Sequence, residues 1–276
     1  MKETIRAEWT GAAPQWQKWN EKLILQSRAA TDLVVHNAQL APGMHVLDLA
    51  SGTGEPSLSI AKAVGPQGRV VATDLVPGML DNARQNARAL GLTNIEFRQA
   101  DAEQLPFSDQ EFDRVTCRFG IMFFPQIDKA LAEIRRVLKP GGRVSFIVWG
   151  SFAENPLFAA TLGPFMKHVQ VPPPPPDAPT IFRFADENKL ASTLKSSGLH
   201  SVEVRKHQVP WLWPGPPEEA WDALRDLAAP FRKMIDALPP EKKPEVMEEI
   251  VSNLRRFEEG NQVKLPATLV TGTGVA

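Results

Sequence analysis

The densest chemistry in the chain lies in VLDLASGTGEPSLSIA, residues 46–61. An apolar run ends near Asp48, a turn of small residues follows, and a helical pattern begins near Glu55. Ala50, Gly52 and Gly54 leave room for a ligand to lie against the backbone. Such a turn opens on a helix N-terminus, whose free N–H groups favour negative charge. Asp74 ends the next apolar run, VVATD, 26 residues beyond Asp48. A carboxylate at such a strand tip can accept from both hydroxyls of a ribose. Asp101, in QADAEQLPF (99–107), ends a third run, where a carboxylate can accept from an adenine amino group. FDRVTCRFGIMFF (112–124) and LKPGGRV (138–144) complete the series.

These residues need a scaffold that brings strand ends together. MHVLDLA (44–50), RVVATD (69–74), NIEFRQ (94–99), FDRVTCRF (112–119) and RVSFIVW (143–149) read as strands. Helical stretches lie between them near 55–64, 78–90 and 128–138. Strands alternating with helices imply parallel pairing through right-handed crossovers. The expected fold is α/β, a doubly wound, mostly parallel sheet of seven strands with helical lid insertions. Ligands bind such sheets beyond the C-terminal strand ends.

The flanks read differently. Residues 12–40 are expected to form two helices, with Trp16, Trp19, Leu23 and Ile24 on one apolar face. Residues 151–170 look helical and aromatic, 184–197 helical, and 202–213 alternate as a strand. Residues 217–260 read as two or three helices, and 263–274 as a last strand. The expected division is therefore 1–43 as N-terminal helices forming part of a lid, and 44–150 as the cofactor-binding core. It continues with 151–213 as acceptor-side helices and a sixth strand, 214–262 as a helical lid, and 263–276 as the final strand. The proline run Pro172–Pro176 is expected to be a stiff, extended connector.

Taken in order, the five core segments resemble the class I S-adenosylmethionine-dependent methyltransferases. The resemblance is to the group of ubiquinone and menaquinone C-methyltransferases and the broad "type 11" set, from about Met44 to Trp149. It implies S-adenosylmethionine as cofactor, with Asp48, Ala50, Gly52 and Gly54 along its methionine half. It further implies Asp74 at the ribose, Leu75 on the adenine, Asp101 and Ala102 at the adenine edge, and Arg118 beside the methionine moiety. The chain departs from the family at Ala50, where the first glycine usually stands. A dinucleotide site would want a third glycine in G-x-G-x-x-G, and from Gly52 that position is Ser57. A nicotinamide oxidoreductase is thus disfavoured. A non-catalytic cofactor-binding module stays open, because no side chain is obligatory for methyl transfer.

The acceptor is expected to be a small, apolar or aromatic metabolite, with Trp16, Trp19, Phe158, Phe165, Met166, Trp211 and Trp213 as candidate pocket wall. Methylases of DNA bases or peptide glutamine carry an Asn/Asp-Pro-Pro-aromatic tetrad after the fourth strand, where this chain has Arg118–Phe119–Gly120–Ile121. Lys+Arg number 31 against 32 Asp+Glu, which also argues against a nucleic-acid partner. No decisive general base is legible; the catalytic candidates are only Arg118 and His168, with Glu154 and Asp128 behind them. One cysteine, Cys117, and five unclustered histidines lead to an expectation of no metal and no disulfide. No run approaches the roughly 18 apolar residues of a membrane span, so the expected location is cytoplasmic.

Overall fold

The computed structural model describes residues 1–170, 174–175 and 177–276. Of the expected proline connector, Pro172, Pro173 and Pro176 lie outside the described residues.

Seven strands form one sheet: β1 (His45–Leu49), β2 (Arg69–Asp74), β3 (Ile95–Gln99), β4 (Phe112–Arg118), β5 (Leu138–Trp149), β6 (His200–Trp213) and β7 (Val263–Val275). Their order is β3-β2-β1-β4-β5-β7-β6. The first five pair in parallel, and β7 runs antiparallel to both β5 and β6. Strands covered on both faces need near-continuous apolar sequence. VLDL and VVAT supply it, and every residue of 46–49 and 70–73 is buried.

Helices α4 (Ser57–Val64), α5 (Pro77–Ala89), α6 (Ile127–Val137) and α8 (Glu187–Ser196) are the crossovers within the sheet. The remaining helices are α1 (Lys2–Lys18), α2 (Asn20–Gln26) and α3 (Arg28–Asn37), then α7 (Pro156–Met166), α9 (Pro217–Leu227), α10 (Ala229–Ala237) and α11 (Lys243–Arg255).

Two expectations are corrected here. The N-terminal segment is three helices, not two, and α1 begins ten residues early. Trp19 and Ser27 are single-residue breaks between these helices, and Trp16, Trp19 and Leu23 all pack against the main core. The fifth strand begins at Leu138, not Arg143. Leu138 pairs with Phe112, then Pro140–Gly141–Gly142 bulges out and pairing resumes at Arg143. Gly141 sits at φ +76, where a side chain would be strained.

The topology fixes where the long insertion attaches. Trp149, the last residue of β5, pairs with Leu269, while Trp213 pairs with Val263 further along. The β6–β7 hairpin therefore projects past the C-terminal end of β5, and residues 214–262 hang from its tip. Their helices α9 and α11 pack on α1 and α7. None of the described helices is long and apolar enough to cross a membrane.

Candidate cofactor and acceptor site

The turn after β1 is built on a buried carboxylate. Asp48 has no solvent exposure. Thr116 on β4 donates to its Oδ1 at 2.6 Å, and Ser57 at the start of α4 donates to its Oδ2. Burial pushes the carboxyl up to about 7, against the pull of those hydroxyls and of Arg118. Ser57, the position of the missing third glycine, is thus a buttress under the turn. Above it, Ala50 at φ +51, Gly52 at φ +54 and Gly54 at φ +124 carry the chain through the left-handed region. A Cβ on Gly52 would meet nothing within 4 Å, whereas one on Gly54 would reach Leu58 Cδ1 at 2.9 Å. Gly52 therefore faces open space, and Gly54 packs on its own helix. The glycine after β4 closes the base, since a Cβ on Gly120 would lie 2.6 Å from that of Ala50.

At the next strand tip, Asp74 Oδ2 accepts the N–H of Gly52 at 3.0 Å and Oδ1 accepts that of Val76 at 2.9 Å. Burial raises its pKa, and the two N–H groups oppose that rise. Leu75 follows, half-buried. At the tip of β3, Asp101 Oδ2 accepts from Lys2 at 2.6 Å, and Lys2 also lies 2.5 Å from Glu103. Burial opposes the charge on Lys2, but these two carboxylates outweigh it and raise its pKa. Ala102, between them, is half-buried. Arg118 donates to Ser27 and, at 3.1 Å, to Thr31 of α3. Burial lowers its pKa, opposed by the carboxylates of Glu55 and Asp48.

The residues expected at the acceptor divide into separate groups. Phe119, at φ +59, is a bulky residue in a strained conformation of the kind that clusters at functional sites. It stacks on Trp149 with centroids 5.2 Å apart and planes at 18°. Trp211 and Phe158 meet Trp149 edge-on at 4.6 and 5.0 Å. This cluster stands at the ends of β4, β5 and β6. Four of the other candidates have different neighbours. Phe165 has no exposure and packs on Trp221 and Phe231 inside the insertion. Met166 is 60% exposed. Trp213 is buried against Trp19 and donates to Glu219 at 3.0 Å. Trp16 packs on Val76 and Met79 beside the tip of β2.

The base candidates also fall into structural roles. His168 lies just past the end of α7, close enough to Glu245 of α11 to help lower its pKa, after Lys242. Glu154 closes a capping box with Ser151 and pairs with Lys206, which holds it down at about 2. Asp128 opens α6 and faces a 510 Å³ groove, also lined by Arg183 and Lys189, between α6 and α8. Cys117 is buried, which raises its thiol pKa. Among the described residues no three His, Cys, Asp or Glu side chains stand close enough to hold a metal.

The residues present fit S-adenosylmethionine. Carboxylates stand at two neighbouring strand tips, and open space lies over Gly52. The buried Ser51 Oγ and Glu55 Oε2 beside it have no hydrogen-bond partner in the protein. The sheet order and this turn define the fold of the class I S-adenosylmethionine-dependent methyltransferases. The chain belongs to the ubiE/COQ5 methyltransferase family, whose profile matches residues 13–172. It is 36% identical over 173 residues to a demethylmenaquinone methyltransferase of Deinococcus radiodurans, covering 60% of this chain and 68% of that protein. It is 43% identical over 120 residues to the ubiquinone/menaquinone biosynthesis C-methyltransferase UbiE of Bordetella avium, covering 44% of this chain and 46% of that one. The chain thus spans between about half and two thirds of the length of these curated relatives. The crystal structure of the YcgJ protein of Bacillus subtilis shares the fold. Its TM-score is 0.58 at 20% identity, over 90% of this chain and 98% of that one.

Proposed function

We propose that this chain transfers the methyl group of S-adenosylmethionine to a small, apolar, aromatic acceptor. The observation that carries this reading is the open space over Gly52, whose N–H donates to Asp74, in a turn where Ser51 and Glu55 each keep a buried polar atom without a partner in the protein. In this reading Gly52 lets the backbone approach the methionine half, Gly54 lets the turn close on Leu58 behind it, and Arg118 supplies positive charge there. Asp74 takes the ribose hydroxyls through its remaining lone pairs. Leu75, Asp101 and Ala102 hold the adenine.

When bound, the cofactor supplies an already activated methyl group on a sulfonium. The protein is left to align the acceptor in line with it and to exclude water. Phe119, Trp149, Trp211 and Phe158 form an aromatic cluster at these strand ends, and in this reading its partly exposed member, Phe119, offers the acceptor ring a stacking partner. The names of the two bacterial relatives favour a quinol-type ring methylated at carbon. The nicotinamide alternative has lost its motif, because Ser57 serves Asp48.

Incubation with methyl-labelled cofactor and a panel of quinols, phenols and amines tests the proposal. Label should pass to a planar aromatic acceptor. A protein that binds the cofactor but labels nothing in the panel would be a binding module, and label on an aliphatic amine alone would refute the acceptor class.

A further inference from the structure

The first helix contributes polar atoms that nothing in the protein satisfies. Gln15 Oε1 and Trp16 Nε1 are buried without a hydrogen-bond partner. A buried donor or acceptor left unpaired is destabilising, so two on adjacent residues call for an explanation.

The neighbours of helix α1 lie along the rim of the cofactor cleft. Ala13 lies against Gly78 at the start of α5, and Asn82 donates to Ala13 O at 3.0 Å. Gln17 meets Asn86, which in turn donates at 2.8 Å to Thr53 O, between the two glycines of the turn. Trp16 packs on Val76, two residues past Asp74. Trp9 sets its ring against Phe123 beyond β4 at 5.6 Å, and Lys2 ties the helix start to Asp101 and Glu103. Helix α1 thus runs between the tips of the strands whose carboxylates would hold the nucleoside, touching the second, third and fourth.

We infer that α1 is the outer wall of the cofactor site and that Gln15 and Trp16 bind the cofactor directly, one as acceptor and one as donor. This rests on the cofactor assignment proposed above. It moves Trp16 from the acceptor pocket to the cofactor. It also gives the two atoms partners of the right kind, since the nucleoside and amino-acid parts of the cofactor carry both donors and acceptors.

Binding and ligand-free stability should separate in variants of these two residues. Trp16→Phe keeps the ring packing and removes a donor that is unpaired in the free protein. Gln15→Leu does the same for the acceptor. Neither change should lower the melting temperature of the ligand-free protein, yet each should raise the dissociation constant for S-adenosylhomocysteine about five- to tenfold by calorimetry. Unchanged affinity in both variants, with wild type binding normally, overturns the inference and leaves the cofactor assignment standing. So does weaker binding accompanied by a lower ligand-free melting temperature in both, which marks the two residues as structural. Absence of binding by wild type removes the cofactor assignment and this inference with it.

Discussion

The backbone N–H of Gly52 donates to Asp74 Oδ2 at 3.0 Å, so the tip of β2 holds the turn that follows β1. One carboxylate therefore serves both the turn and the space beside it. Asp74 Oδ1 does the same for Val76 at the start of α5. Two loops from different strands are fixed relative to each other by a single side chain that keeps lone pairs free for a ligand.

Asp74→Ala should therefore act twice. It removes the ribose acceptor and frees the turn from β2, and each hydrogen bond to a charged group is worth about 1.5–3 kcal/mol. Affinity for S-adenosylhomocysteine should fall at least about tenfold by calorimetry. The melting temperature should fall as well. Unchanged affinity would show that Asp74 organises the turn only.

The two glycines of the turn should separate. Gly52→Val places a side chain in open space at φ +54, so it should fold with a strain of about 1–2 kcal/mol and lose cofactor binding. Gly54→Val drives its Cβ into Leu58 at 2.9 Å and should lose stability first. Thermal melts and calorimetry on both variants distinguish these effects. A Gly52→Val protein that binds normally would place the cofactor elsewhere.

Asp48 gives a pH dependence with a definite sign. Its folded value, about 7, lies above its ordinary 3.8. Between those values the folded state holds more protons than the unfolded one, so stability falls as pH rises through that window. Above it the cost is complete, on the order of 4 kcal/mol. Asp48→Asn removes the titration. Urea unfolding of both proteins at pH 4 and pH 8 should show the variant gaining on wild type as pH rises. A constant difference would contradict a buried, neutralised Asp48.

The core was legible in the sequence because strand tips and turns are local. Asp48, Asp74 and Asp101 each stand at the end of a strand-like run, and those runs became β1, β2 and β3 almost residue for residue. The long-range partners were not legible. No local signal marks Thr116 as the second ligand of Asp48, Phe119 as left-handed, or Lys2 as the partner of a carboxylate 99 residues away. The surroundings of the aromatic candidates were not legible for a related reason. Spacing finds an apolar face, but whether Phe165 meets a ligand or Trp221 depends on where the insertion folds back.

The lid reading predicts motion. Helices α1 and α9–α10 are joined by Lys18–Asp226 at 2.9 Å, Trp19 to Asp226 at 3.1 Å and Lys233–Glu8 at 2.5 Å. Exposed pairs of this kind contribute roughly 0–1 kcal/mol each, weak enough to open. Hydrogen exchange in residues 2–26 and 217–237 should slow when S-adenosylhomocysteine binds. Equal exchange with and without ligand would show these helices to be a fixed part of the core.

The central claim is the identity of the cofactor, and titration calorimetry of the intact chain tests it most directly. S-adenosylmethionine and S-adenosylhomocysteine should each bind at one site per chain, and NAD should give no heat of binding. Binding of NAD with neither adenosyl ligand would contradict the account.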